Sequence, residues 1–99
     1  MADAWKDIIL RNLLGQTKII NVVQDFVHKG LLKDGDMSLI TNADSDAKVL
    51  DMMITRLTPY LVDIKYFNCC LSVIANHGVC IPFEILHNDV YAAGTGMNT

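Results

Sequence analysis

Apolar residues recur three and four positions apart along most of this chain, and the clearest run is Ile19 to Leu32, IINVVQDFVHKGLL. Ile19, Ile20, Val22, Val23, Phe26 and Val27 fall on one side of a helix, and Asn21, Gln24, Asp25, His28 and Lys29 on the other. His28 and Lys29 occupy the last turn, where positive charge suits the helix dipole. Gly30 follows, the residue best able to take the left-handed conformation that closes a helix. The pattern therefore predicts a helix from about Thr17 to Lys29, a stop at Gly30, and a return of Leu31 and Leu32 to the core.

The same reading places five more helices around it. Asp3 to Leu14 carries Trp5, Ile8, Ile9 and Leu13 on one side, widened by Leu10 and Leu14; Asp3 is the expected cap and Asp7–Arg11 an i,i+4 ion pair. Gly15, Gln16 and Thr17 mark a break. Asp34 to Ala43 has Met37, Leu39 and Ile40 to bury, with Asp34, Gly35 and Asp36 in its first turn. After the polar loop from Asn42 to Asp46, a fourth helix from Ser45 or Asp46 to Leu57 presents Val49, Leu50, Met53, Ile54 and Leu57, and Pro59 ends it. Val62 to Ala75 presents Ile64, Phe67, Cys70, Leu71 and Ile74, and is stopped by Asn76, His77 and Gly78. Pro82 fits the first turn of a sixth helix, Pro82 to His87, with Phe83, Ile85 and Leu86 to bury. Beyond it the pattern dissolves. The expected organisation is one all-α domain over residues 1–90 and a disordered tail over 91–99, with no internal repeat.

Composition narrows the function. With 99 residues the chain has room for one domain, and with 52% apolar residues it has enough hydrophobic surface to fold without a metal or disulfide. A net charge of −3 gives no basic face for nucleic acid, and the acidic start of the third helix disfavours a helix-turn-helix. No apolar run suggests a signal peptide or a membrane span, so the cytosol is the expected compartment.

Chemistry-bearing motifs are missing. Cys69, Cys70 and Cys80 are an odd count, and adjacent Cys69 and Cys70 fit neither a disulfide framework nor a zinc spacing; buried reduced thiols are expected. His28, His77 and His87 belong to no metalloprotease or phosphate-loop motif. Asp34 and Asp36 are two apart and read as helix-start residues. Neither an enzyme nor a cofactor or metal site is expected. The sequence reads as a binding module.

The order HKGLL, then KDGDMSLITN, then a polar capped loop and a long helix resembles the caspase recruitment domain (CARD) of the death-fold superfamily. The matching positions are Gly30, Leu31, Leu32, Asp34 to Asp36, Met37 and Ile40; then Ser45 to Leu50; then Phe67 to Ile74, Asn76 to Gly78 and Phe83 to Leu86. The resemblance spans roughly residues 3–90. It implies a six-helix antiparallel Greek-key bundle, no catalysis, and homotypic binding to CARD-containing caspases or adaptors, with CARD–CARD self-association as a further expectation. It also implies docking by charge, between a basic surface on helices one and four and an acidic one on helices two and three. Here the acidic side is Asp25, Asp34 and Asp36, and the basic side Arg11 and Lys48. Asp44 and Asp46 crowd Lys48 where relatives that use this face carry a second basic residue, so the acidic side is the expected docking surface. The chain ends soon after helix six, so the resemblance implies a CARD-only regulator, cellular or encoded by a large DNA virus. Such a protein would inhibit caspase, inflammasome or antiviral adaptor signalling as a decoy in the host cytoplasm.

Two other readings stay open. One is a self-assembling helical protein, using an apolar patch of Tyr60, Leu61, Tyr66 and Val90. The other is a small enzyme or metal protein using Cys69, Cys70, Cys80 and His77.

Overall fold

The computed structural model describes residues 4–82 and 85. They form α1 (Ala4–Leu14), α2 (Ile19–His28), α3 (Asp34–Thr41), α4 (Asp46–Leu57) and α5 (Ile64–Asn76), with a 3-10 turn, Thr58–Tyr60, between the last two. There is no strand among the described residues. None of their helices is long and apolar enough to cross a membrane.

The stop after α2 is a Schellman closure. Gly30 takes φ +79°, its N–H donates to the Val27 carbonyl at 3.0 Å, and the Leu31 N–H donates to the Phe26 carbonyl at 2.9 Å. This reversal brings Leu32 into the core while Leu31 lies half-buried against it. After α5, Gly78 is likewise left-handed at φ +87°, and its N–H donates to the Ala75 carbonyl at 3.0 Å. At helix starts, Ser45 caps α4 by accepting from the Lys48 N–H at 3.3 Å, and Asp63 caps α5 by accepting from the Lys65 N–H at 2.9 Å. Pro59 ends α4 as expected, but the chain goes on through one 3-10 turn before Asp63 starts the next helix. Proline's fixed φ suits that turn, and position 59 needs no N–H donor there.

The core forms where the five stripes meet. Ile19, Val22, Val23 and Phe26 of α2 are buried, and α2 touches α3, α4 and α5. Val49, Met53, Ile54 and Leu57 enter from α4, and Phe67, Cys70, Leu71, Val73 and Ile74 from α5. Fully burying a side chain such as Phe26 or Phe67 contributes about 1.5–3 kcal/mol. Trp5 meets Phe67 edge-on, with ring centroids 5.4 Å apart, and so joins α1 to α5. Beside them Lys6 is buried; its ammonium donates to the Leu61 carbonyl at 2.8 Å and lies 5.7 and 5.8 Å from the Trp5 and Phe67 ring centres.

Several expectations are corrected. Ile8 is 68% exposed and Leu39 57% exposed, so the buried stripes of α1 and α3 are narrower than their apolar content suggested. Helix α3 stops at Thr41, where that hydroxyl donates back to the Met37 carbonyl at 2.7 Å. The Asp7–Arg11 pair does not form: Arg11 reaches across to Asp51 on α4, and Asp7 lies 3.2 Å from the Thr58 hydroxyl. Tertiary packing offers partners that outcompete the weak intrahelical pair. Leu61 is core rather than surface. Only Cys70 is a buried thiol, since Cys69 and Cys80 are exposed, and all three cysteines are free.

Of the expected sixth helix, only Pro82 and Ile85 are described. Ile85 is helical, donates its N–H to the Pro82 carbonyl at 3.0 Å and packs half-buried on the core. The remainder of that helix, Asp3, Val90 and the segment 91–99 lie outside the described residues.

Candidate protein-interaction surface

Helices α2, α3 and α4 carry most of the charged residues singled out for docking, and the fold gives nearly all of them an internal partner. Asp25 projects from α2 to the C-terminal end of α5, where its Oδ2 lies 2.8 Å from His77 Nε2, with both side chains partly buried. Asp36 sits in the first turn of α3. Its Oδ1 accepts from Arg56 Nε of α4 at 2.9 Å, and its Oδ2 lies 3.4 Å from the Lys33 N–H. Arg11 is paired with Asp51. Lys48 lies 3.8 Å from Asp44, both well exposed. Asp34 is exposed and bonds to no other described side chain.

Local sequence explains the placement of each helix end, and packing explains the pairs. Asp36 lies in the first turn of α3, where a carboxylate favours the dipole, and α4 runs alongside α3 so that Arg56 in its last turn comes opposite. An exposed ion pair contributes about 0.2–1 kcal/mol, so Arg11–Asp51 and Lys48–Asp44 are weak restraints that a docking partner can replace. Asp25–His77 and Asp36–Arg56 are less exposed and hold their groups more firmly. Asp34 is therefore the carboxylate of the expected acidic surface most open to a partner.

Arg56 and Asp36 also line a cleft of about 350 Å³, walled by Leu31, Lys33, Tyr60 and Tyr66. Tyr66 crosses it to donate to the Leu31 carbonyl at 2.6 Å, tying α5 to the turn after α2. Burial, with smaller contributions from Cys70 and Tyr60, pushes the Tyr66 hydroxyl well above the ordinary phenol range, so it stays a donor. Sequence reasoning missed this cleft. Its walls come from residues 20 to 35 positions apart, and no local periodicity encodes their meeting.

The cysteine and histidine set does not assemble. Among the described residues no three His, Cys, Asp or Glu side chains converge as a metal site would require. Burial, reinforced by Cys69 beside it, pushes the Cys70 thiol up to about 12, which keeps it protonated and unreactive at neutral pH. His77 is engaged with Asp25.

No family model, curated protein or solved structure matches the chain.

Proposed function

We propose that this chain is a homotypic protein-interaction module of the CARD type: a six-helix Greek-key bundle without catalytic activity that binds CARD-containing caspases or adaptors. In this reading it regulates their signalling as a cytoplasmic decoy, occupying a docking face without passing the signal on. The observation that most supports it is the junction between α2 and α3. A long amphipathic helix closes at Gly30, Leu32 turns into the core, and a short helix opens on Asp34 with Ile40 facing inward. That is the arrangement for which the resemblance was drawn, and it leaves Asp34 exposed on the side the resemblance marks as acidic.

Charge of this kind sets orientation and rate of encounter more than affinity. Asp25 and Asp36 also hold intramolecular partners, so reversing them would disturb the fold together with the surface. Asp34→Lys is the cleaner probe. The test is binding of the full chain to a panel of purified CARDs at low and high salt, with Asp34→Lys in parallel. At least one CARD should bind, more weakly as salt rises, and Asp34→Lys should reduce that binding. A folded protein that binds none of the panel would refute the proposal.

A further inference from the structure

Two neighbouring depressions share Tyr60 and Tyr66 as a common wall. The first is the cleft that holds Lys33, Asp36 and Arg56, and the second is a shallow, mainly apolar step of about 210 Å³ formed with Pro59 and Val62 and bordered by Asp63, whose carboxylate accepts from the Lys65 N–H. Their chemistry is unlike. In the first, two cations face one carboxylate, in a chain whose net charge is −3. In the second, Tyr60 is 51% exposed and Val62 66% exposed, two of the four large hydrophobic side chains that the described residues leave to solvent.

Arg56 supplies the chemical argument. Asp36 binds it through Nε alone, and among the described residues neither Nη group is bonded. A guanidinium held at Nε has its direction fixed while its Nη donors remain available, and such a fork matches the two oxygens of a carboxylate. Lys33, exposed on the same cleft, adds a second positive charge. The Tyr60 and Tyr66 rings, 5.3 Å apart and tilted by 40°, separate this charged compartment from the apolar step. In an extended segment residues i and i+2 share a face and lie about 6.6–7 Å apart, so an acidic side chain and the apolar side chain two positions on can enter adjoining depressions together.

We propose that the Arg56–Tyr60–Val62 surface docks a segment of another protein that presents a carboxylate beside an aliphatic or aromatic side chain. The carboxylate pairs with Arg56 and Lys33, and the apolar neighbour covers Tyr60 and Val62. Asp34 does not line this cleft, although it follows Lys33 in the chain.

The test is titration of the ¹⁵N-labelled full chain with capped peptides carrying a central Glu-Ser-Leu, Glu-Ser-Ile or Glu-Ser-Phe sequence, with Gln counterparts and sodium acetate as controls. The Glu peptides are expected to shift, saturably, the amides of Lys33, Arg56, Tyr60 and Val62. Arg56→Lys keeps the charge opposite Asp36 but lacks the fork, and should weaken binding by about tenfold. Tyr60→Ser, at an exposed position, should weaken it comparably, with amide shifts changed only around the Tyr60–Tyr66 contact. Four results would overturn the proposal: no saturable shift in the millimolar range, equal binding of the Gln peptides, acetate alone reproducing the shifts, or the same shifts appearing with rising protein concentration and no peptide. The last would assign the surface to a second copy of the chain.

Discussion

Replacing Gly30 by alanine isolates a single physical quantity, because the structure removes the usual complication. A Cβ built at residue 30 meets nothing within 4 Å, so the substitution brings no clash. What remains is φ +79°, a left-handed conformation that costs an L-residue about 1–2 kcal/mol. Against this, alanine restricts the unfolded chain more than glycine does and returns about 0.4–1 kcal/mol. The midpoints of the two ranges leave a net loss of about 0.8 kcal/mol for Gly30→Ala. In a domain of this size that lowers Tm by about 2–8 °C. Two controls give the sign its meaning. D-alanine at position 30, introduced by chemical synthesis, accepts a positive φ and keeps the unfolded-state gain, so it should match or exceed the parent. Gly35→Ala, in the first turn of α3 with no positive φ and open space around its Cβ, should stabilise by up to about 0.5 kcal/mol, less than a mid-helix glycine would. Urea unfolding followed by circular dichroism reads all three, with unchanged m-values showing that the change is one of stability. An L-alanine variant at position 30 as stable as the parent would refute the assignment of the α2 stop to a left-handed glycine.

Other consequences follow from the contacts. Cys69 and Cys80 should react with a thiol reagent in the native protein, and Cys70 only on unfolding, so that two thiols titrate quickly and the third at the unfolding rate. Burial raises the Cys70 thiol to about 12 in the folded state while the unfolded thiol ionises near 9, so the folded protein holds the extra proton between those values. Stability should therefore fall as pH rises through that window, by up to about 1.4 kcal/mol per pH unit, and Cys70→Ala should abolish this part of the slope in urea titrations. Tyr66→Phe deletes the bond to the Leu31 carbonyl and should cost about 0.5–1.5 kcal/mol by denaturant midpoint. A double-mutant cycle of Asp36→Asn and Arg56→Gln should give a coupling of about 1 kcal/mol or less that shrinks in high salt, because both side chains keep contact with water.

Local information in the sequence was enough to mark five helices and the residues that stop them. Periodicity depends on neighbours three and four apart, and caps and left-handed glycines act over a single turn, so the stops at Gly30 and around Asn76 to Gly78 and a start of α4 at Ser45 or Asp46 were legible in the chain alone, whereas the pattern began α5 at Val62 and did not single out Asp63 as its cap. The buried faces of α2, α4 and α5 followed in the same way. The width of a buried stripe did not, because it is set by the neighbouring helices: Ile8 and Leu39 lie at helical spacing with core residues and still face solvent. Electrostatic partners lay further out of reach. Arg11 and Asp51 are 40 positions apart, Asp25 and His77 52, and Lys6 and the Leu61 carbonyl 55. The cleft of Arg56, Lys33, Tyr60 and Tyr66 belongs to the same class. Side chains from separate elements meet only when hydrophobic burial has fixed how the helices pack, and an ion pair worth about 1 kcal/mol or less then settles among whatever groups that packing brings together.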